Sequence, residues 1–338
     1  MKTGIECFAG ANTSEGFFSG FDGIFSCVRQ TFFIKGAPGT GKSSLMKRMR
    51  ARQLSMGHTV SAFYCSSDPD SLDGIIDETL SCAIIDATAP HAYDPPLPGA
   101  AGAILSLGDY LNERALRSET NEITRINGEM KTAFHMACSY LKSAKAIWNA
   151  NKTDESVHAA DALSSEIVSP LLRLNGLGSL KTYFLEACTH KGVVRFTGQF
   201  PRDITVSIPA PFPACAHLLL SEIARKARIK GLCALVFPSP VDPACIKHVY
   251  LPDVPLFITT SETDGAQKVY DDFAGSAVYN PGDKALFDAL VEKACAAMAK
   301  AKGLHDELEA VYTPRMDFSK LVECESRLIC AFDEMVPV

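Results

Sequence analysis

The chain of 338 residues is 47% hydrophobic and 21% charged, and its formal net charge is -6 at pH 7. This length predicts two domains, and an acidic chain lacks the basic field that nucleic-acid binding usually needs. No apolar run reaches the roughly 20 residues that cross a bilayer, and the first residues lack the apolar centre of a signal peptide. We therefore expect a soluble, cytoplasmic protein with neither nucleic acid nor membrane among its partners.

The first well-defined strand, TFFIK, leads directly into the loop GAPGTGKSS and then into the helical pattern SLMKRMRARQL. The loop matches G-x-x-x-x-G-K-[ST], the phosphate-binding P-loop pattern, in the strand–loop–helix context that it requires. Glycines let backbone N–H groups turn toward phosphates, and the helix N-terminus favours the same negative charge. The alternative is a structural glycine-rich turn. The predicted nucleotide-binding residues are Gly36, Ala37, Pro38, Gly39, Thr40, Gly41, Lys42, Ser43 and Ser44.

Two side chains of this loop carry its expected chemistry. Lys42 is expected to reach the β- and γ-phosphates of ATP, and the Ser43 hydroxyl is expected to coordinate Mg²⁺. The loop therefore predicts a nucleoside triphosphate, most simply Mg-ATP, as the ligand.

Carboxylates follow the next two strands. The strand TVSAFYC leads into CSSDPDSLDG, which contains Asp68, Asp70 and Asp73, and the strand SCAIIDAT ends at Asp86. Because the carboxyl ends of parallel strands meet beside the ligand, Asp86 is predicted to hold Mg²⁺; the alternative is a cap on the next turn. Asp70 and Asp73 are candidate catalytic bases toward an acceptor hydroxyl, or else solvated acids at a helix start.

The chain contains an internal repeat. FAGANTSEG near the N-terminus matches FLEACTHKG, residues 184–192, at an offset of 176 residues. The Ala-Pro pairs at 37 and 210 give an offset of 173, and the Asp-Pro pairs at 68 and 242 give 174. Asp68, Thr13 and Gly16 recur in the second copy, so they are assigned structural roles.

Each copy shows the same order of strands and helical patterns. Strands that alternate with helices favour an α/β fold with parallel sheets flanked by helices, and a helical tail follows each sheet. We expect two tandem P-loop NTPase-like domains, residues 1–178 with an active P-loop and residues 179–338 with a degenerate one. Only one strand is predicted between the P-loop strand and the Asp86 strand, which favours a kinase.

The second copy lacks the phosphate-binding residues. In the alignment on the Ala-Pro pairs, Gly36, Gly41, Lys42 and Ser43 are matched by Pro209, Ala214, Cys215 and Ala216. Thr260 stands opposite Asp86. The second copy is expected to pack against or close over the first, with Lys191, Arg195 or Arg202 as cations within reach of its site.

The strings GFFSGFD, FFIKGAPGTGKSSLMK, CSSDPDSLDG, IIDATAPHAYDP and PGAAGAILSLGDYL, in that order, resemble a bacterial family of tandem P-loop ATP-binding proteins. The likeness continues into the second copy, through TYFLEACTHKG and FPSPVDPACIKHVYLPDVPLFITTS. The resemblance implies two similar P-loop domains that bind nucleotide. This chain departs from it at the second P-loop.

Two classes of function are compatible with these residues. One is an ATP-dependent enzyme that works at the first copy, either a hydrolase or a kinase-like phosphotransferase with an unknown small-molecule acceptor. The other is a nucleotide-dependent switch or assembly factor that turns over slowly and acts on a protein partner.

The twelve cysteines are spread singly, without a Cys-x-x-Cys pair. Zinc sites usually need such paired spacing. The pattern favours reduced, mostly buried thiols.

Overall fold

A computed structural model describes residues 4–21, 23, 28–89, 92–151, 157–196, 202–210, 216–261, 266–270 and 280–337. They form an α/β structure of two similar domains, each built on a six-stranded sheet. The helices are α1 (Lys42–Ser55), α2 (Glu113–Arg117), α3 (Thr120–Ala150), α4 (Val157–Val168), α5 (His217–Ile229), α6 (Pro281–Tyr312) and α7 (Phe318–Asp333). Short 3-10 turns occupy Leu107–Tyr110 and Thr313–Arg315.

The two sheets have the same topology. The first contains β1 (Glu6–Phe8), β4 (Gln30–Lys35), β5 (Val60–Tyr64), β6 (Leu72–Asp77), β7 (Cys82–Asp86) and β8 (Gly102–Ser106). The second contains β9 (Leu180–Thr182), β12 (Ile204–Ser207), β13 (Ala234–Pro238), β14 (Ile246–Leu251), β15 (Leu256–Thr259) and β16 (Lys268–Val269). The orders β1-β5-β6-β7-β4-β8 and β9-β13-β14-β15-β12-β16 correspond strand for strand. The duplication predicted from the sequence is therefore present in the fold.

The prediction of parallel sheets is wrong for one strand of each sheet. Strand β6 runs antiparallel to β5 and β7, and β14 runs antiparallel to β13 and β15. Only residues 78–81 connect β6 to β7, and so short a connection can join antiparallel strands but not parallel ones. Two strands, rather than one, thus separate β4 from β7 along the chain, although β4 and β7 are direct neighbours in the sheet.

The structure also corrects the predicted alignment of residues 36–44 with the second copy. Phe32 and Val206 pair with equivalent residues of the neighbouring strands, and 206 - 32 = 174. The first buried residues of α1 and α5, Leu45 and Leu219, give the same offset, 219 - 45 = 174. The match of the Ala-Pro pairs at 173 is therefore one residue out of register, because the spacing from the paired strand residue to the first buried helix residue is the same in both copies, 45 - 32 = 13 and 219 - 206 = 13.

The two faces of the first sheet have different neighbours. Alternate side chains of a strand point to opposite faces, and Phe32 and Ile34 pack with α1 and α7. Phe33 lies on the other face, in a buried cluster that also contains Phe237 and Phe257 of the second sheet. The sheets therefore pack against each other, with helices on the outer face of each, and the helices that we expected on both faces of each sheet are replaced by a sheet–sheet contact.

Each helical tail packs on the sheet of the other copy. Leu321, Cys324, Leu328 and Phe332 of α7 belong to the core of the first sheet. Ala160, Ile167 and Val168 of α4 belong to the core of the second sheet. The C-terminal helix thus completes the first domain, and a helix from the middle of the chain completes the second.

The long helices α3 and α6 pack side by side. Ile126 contacts the same apolar cluster as Leu304 and Leu308, while at the other end the rings of Trp148 and Phe287 lie 6.0 Å apart. The two helices are therefore antiparallel. Asn280 caps the start of α6 by accepting a hydrogen bond from the Gly282 N–H, which satisfies one of the free donors of its first turn.

Equivalent residues of the copies meet at the centre of the molecule. The backbones of Phe8 and Phe184 exchange N–H···O=C bonds of 2.8 and 2.9 Å. Beyond this pair stand two hairpins, β2–β3 (Gly10–Thr13 and Gly16–Ser19) and β10–β11 (Glu186–Thr189 and Gly192–Arg195). The hydroxyls of Thr13 and Thr189 each donate to the carbonyl three residues ahead, so the structural role assigned to Thr13 is confirmed.

No helix of the described residues is both long and apolar enough to cross a membrane. None of the ten cysteines in this part of the chain forms a disulfide, and six of them are buried. Cys27 and Cys215 lie outside it.

Candidate functional site

The predicted P-loop connects the end of β4 to the start of α1, at the carboxyl edge of the first sheet. Gly39 and Gly41 have φ angles of 73° and 87°, in the left-handed region where a side chain is strained. A Cβ added to Gly36 would lie 2.7 Å from the Thr40 hydroxyl. These three glycines allow a tight loop that no other residue type would form without strain or a clash.

Lys42 lies inside the turn of this loop. Its ammonium group donates to the carbonyl oxygens of Gly36 at 2.7 Å and Ala37 at 3.1 Å, and it lies 3.6 Å from the Asp86 carboxylate. The Thr40 hydroxyl also donates to the Ala37 carbonyl, at 2.7 Å. The lysine charge is therefore held at the loop and directed toward the end of β7.

Asp86 stands beside the P-loop because β7 pairs with β4 and places Asp86 opposite Ile34. One carboxylate oxygen of Asp86 accepts a hydrogen bond from the Thr88 N–H at 2.9 Å, and the other faces Lys42. The first contact is the turn cap that was the alternative role for Asp86. Burial raises the pKa of Asp86, Lys42 opposes that rise, and the nearby charge of Asp73 adds to it. The carboxylate thus caps its turn with one oxygen and directs the other into the site.

Asp73 and Ser43 are brought to the same place by the strand that sequence reasoning missed. The Leu72 N–H donates to the Ser43 hydroxyl oxygen at 3.0 Å, which fixes the start of β6 against the start of α1. Asp73 follows as the extra residue of a β-bulge, since Tyr64 pairs with Leu72 and Phe63 with Gly74. Bulges turn a side chain out of the regular alternation and are frequent beside active sites.

The side-chain oxygen atoms at this edge of the sheet are suitable ligands for a magnesium ion. Mg²⁺ prefers hard oxygen ligands and is usually held by one or two carboxylates together with phosphate oxygens. The Ser43 hydroxyl and the Asp86 carboxylate provide such donors beside the P-loop, and the Asp73 carboxylate adds a third close to Asp86. The residues present therefore fit the ion predicted from the motif.

Asp68 has the structural contacts expected from its recurrence in the second copy. Its carboxylate accepts the Asp70 N–H at 3.2 Å, and the Asp242 carboxylate accepts the Ala244 N–H at 3.1 Å. Each is therefore an Asp that closes its own turn. Asp70 is exposed, and its carboxylate binds Lys191 of the second copy, which lowers the pKa of Asp70.

We expect Asp86→Asn to lower the Mg²⁺-dependent activity by at least about tenfold more than Asp68→Asn, because only Asp86 directs a carboxylate oxygen toward the P-loop lysine. Asparagine at 68 keeps the oxygen that closes the turn. The measurement is nucleotide turnover as a function of Mg²⁺ concentration, with thermal unfolding as the control for stability. Equal losses in two equally stable variants would contradict the assignment.

The C-terminal tail lies over the P-loop. The Thr313 hydroxyl is 3.4 Å from the Gly39 carbonyl oxygen, and a Cβ added to Gly39 would lie 3.2 Å from the carbonyl oxygen of Glu309 in α6. A Cβ on Gly41 would lie 2.8 Å from the Leu321 side chain of α7. The second copy therefore provides one wall of the site, through its tail.

This wall carries polar side chains that sequence reasoning missed. The Lys302 ammonium lies 3.5 Å from the Asp68 carboxylate, and it also binds Asp306. The pKa of His305 is lowered first by burial and then by the charges of Lys302 and Lys42, while Glu309 opposes the shift. His305 thus lies close enough to the P-loop for Lys42 to influence its protonation.

A sequence signal for this wall exists in the two long helices. Aligned on their buried faces, Ala137 matches Ala294 and Lys145 matches Lys302, since 294 - 137 = 157 and 302 - 145 = 157. Lys145 binds Asp242 at 3.0 Å, just as Lys302 approaches Asp68. The repeat thus extends into the tails, at an offset different from that of the sheets.

The corresponding edge of the second sheet has different chemistry. In the corrected alignment Ala210 replaces Gly36, Ala216 replaces Lys42, and His217 replaces Ser43. His217 reproduces the hydrogen bond that Ser43 accepts from Leu72, since the Ile246 N–H donates to His217 Nδ1 at 3.0 Å. The loop residues 211–215, among them Ala214 and Cys215, lie outside the described residues.

A lysine stands in the second copy where the first has Asp73. The Lys247 ammonium binds the buried Glu186 carboxylate at 2.7 Å, and Arg195 binds the same carboxylate at 3.0 Å. Burial alone would raise the pKa of Glu186, but Lys247, and with it His248 and Arg195, hold that pKa well below its usual range. This cation is thus neutralised within the protein.

Of the cations expected to reach the first copy, Lys191 contacts Asp70. Arg195 binds Glu186 of its own copy, and the Arg202 guanidinium lies 5.5 Å from the ring centre of Phe257. Among the described residues, two separate sets of side chains could each hold a metal ion: Asp68, Asp70 and His190 in one, and His305, Asp306 and Glu309 in the other. Within each set the possible ligand atoms lie within 4.8 Å of one another.

Compared with protein-family models, with curated proteins and with solved structures, the chain has no match.

Proposed function

We propose that the protein binds Mg-ATP at the P-loop of its first copy and transfers the terminal phosphoryl group, either to water or to a small hydroxyl acceptor. The observation that carries this proposal is the convergence of Lys42, Ser43 and Asp86 around a loop in which Gly39 and Gly41 have left-handed conformations. The resemblance to tandem P-loop ATP-binding proteins supports the same proposal. In this proposal the two sheets belong to two P-loop NTPase-like domains.

Each residue has a defined role in the proposed site. The loop N–H groups and the Lys42 ammonium bind the β- and γ-phosphates, for which they provide hydrogen bonds and positive charge. Ser43 and Asp86 would hold Mg²⁺, which supplies charge neutralisation on the phosphate oxygens when bound. Asp73, a buried carboxylate next to Asp86, is the candidate to accept the proton of the attacking hydroxyl. Asp70 is the weaker candidate, because its exposed carboxylate binds Lys191.

A second candidate function is a nucleotide-dependent switch with slow turnover. It is favoured by the position of the C-terminal tail, which contacts the P-loop at Gly39 and Gly41 and also forms part of the first core. A change at the loop would therefore reach the tail directly. In this scheme the second domain regulates or supports the first.

The test is ADP release from Mg-ATP, measured alone, with a panel of small hydroxyl compounds, and with protein fractions from cell extract. Stimulation by one hydroxyl compound, with phosphate transferred to it, supports a phosphotransferase. Stimulation by a protein fraction alone supports the switch. Absence of Mg-ATP binding in calorimetry would overturn both functions.

A further inference from the structure

The wall that α6 forms over the P-loop is a second source of positive charge for the site. Lys302, His305 and Glu309 follow one another at spacings of three and four residues, so they share one face of the helix. That face is directed to the first copy at both ends, since Glu309 adjoins Gly39 and Lys302 approaches Asp68.

Lys302 reaches the loop that also fixes Ser43. Asp68 belongs to the connection between β5 and β6, and Leu72 begins β6 directly after it. Asp68 lies 3.5 Å from the Lys302 ammonium, and the Leu72 N–H donates to the Ser43 hydroxyl oxygen. The lysine side chain is 20% exposed, so it is partly enclosed and still open to a ligand. The cation is therefore held at the edge of the site by acids that an incoming phosphate could replace.

The second copy provides an internal comparison. On α3 the position equivalent to His305 is Trp148, since 305 - 148 = 157, and its ring is buried in an apolar cluster with Val241 and Cys245. Lys145, the equivalent of Lys302, is held by two acids, Glu15 at 2.7 Å and Asp242 at 3.0 Å. The face of α6 that is directed to the first copy is thus polar at this position, whereas the equivalent position of α3 carries a buried tryptophan.

We infer that Lys302, from the tail of the second copy, contacts the γ-phosphate of the nucleotide bound to the P-loop of the first. This inference rests on the proposed function and adds a residue that sets the preference for a triphosphate over a diphosphate. In this arrangement Lys42, held inside the loop, binds the β- and γ-phosphates. Lys302, on the facing helix α6, binds the γ-phosphate only. The nucleotide site is therefore composite, with elements from both copies of the repeat.

The test compares Lys302→Ala with the matched control Lys145→Ala by calorimetric titration with Mg-ADP and with the non-hydrolysable β,γ-imido analogue of ATP. We expect Lys302→Ala to weaken binding of the analogue by about tenfold or more, the usual effect of one lost charge-assisted contact, and binding of ADP by less than about threefold. The control should bind both ligands as the unsubstituted protein does. Lys302→Arg, which keeps the charge, should restore part of the preference.

Two results would overturn the inference. If Lys302→Ala binds both ligands with unchanged affinity, the lysine does not touch the nucleotide. If it loses both ligands equally, the lysine acts only on the shape of the site. Either result leaves the proposed function in place as long as the unsubstituted protein binds the analogue, whereas failure of that protein to bind either ligand removes the proposed function and the inference together.

Discussion

Replacing Lys42 by alanine should lower the affinity for Mg-ATP by at least about a hundredfold and abolish measurable turnover. The Lys42 ammonium is held at the loop by the carbonyls of Gly36 and Ala37 and lies 3.6 Å from Asp86, so its charge is fixed where the β- and γ-phosphates are expected. Hydrogen bonds to charged groups contribute about 1.5–3 kcal/mol each, and the loss of two such bonds to phosphate corresponds to roughly two orders of magnitude or more.

The control is Lys47→Ala, which removes an exposed lysine of the same helix. Both variants should unfold at nearly the temperature of the unsubstituted protein, because neither side chain belongs to the apolar core. A Lys42→Ala protein that binds and turns over ATP normally would show that GAPGTGKSS is a structural turn. Calorimetry and ADP release supply the two readouts.

One Mg-ATP should bind per chain. In the second copy Ala216 and His217 occupy the positions of Lys42 and Ser43, and Thr260 occupies that of Asp86, so neither a lysine nor a carboxylate is present at these three positions. Lys247, which stands in the place of Asp73, is neutralised by the buried Glu186. Binding of a triphosphate there lacks several charge-assisted contacts and should be weaker by orders of magnitude.

Calorimetric titration measures this stoichiometry directly. We expect a single site in the unsubstituted protein and none in Lys42→Ala over the same concentration range. Two sites of similar affinity, with one surviving in Lys42→Ala, would sink the prediction. The corresponding substitution in the second copy, Ala216→Lys, is a further control, because one lysine without the metal-binding groups should not create a second site.

The parts of this structure that the sequence reveals are those encoded by short contiguous patterns. The P-loop lies between a strand and a helix because its glycines, lysine and apolar flanks all stand within residues 31–54. The strand ending at Asp86 is recognisable from its apolar run, and its place beside the P-loop follows from the pairing rules of α/β sheets.

Other parts of the structure, such as strand direction and the packing of the helical tails, depend on contacts between distant segments that no local sequence pattern predicts. The sequence does not predict strand β6, because LDGIID is short and contains a glycine. The antiparallel direction of β6 follows from its tight connection to β7. The alignment of the P-loops slipped by one residue because an Ala-Pro pair is a weak marker, whereas the buried positions of α1 and α5 require 174. The exchange of tails was not predictable, since an apolar helix face records that a helix packs on a sheet but not which of two similar sheets it covers.

The exchange of α4 and α7 bears on the history of the chain. Two separate subunits that trade their terminal helices form an obligatory pair, in which each subunit lacks part of its core without the other. A chain in which the same trade occurs between two repeats is what fusion of such a dimer into one gene would produce. Once joined, the halves no longer need to be identical, because the second contributes a sheet face and a wall helix to the first whatever residues stand in its own loop. The core of the first domain thus preserves the second copy regardless of whether that copy binds anything.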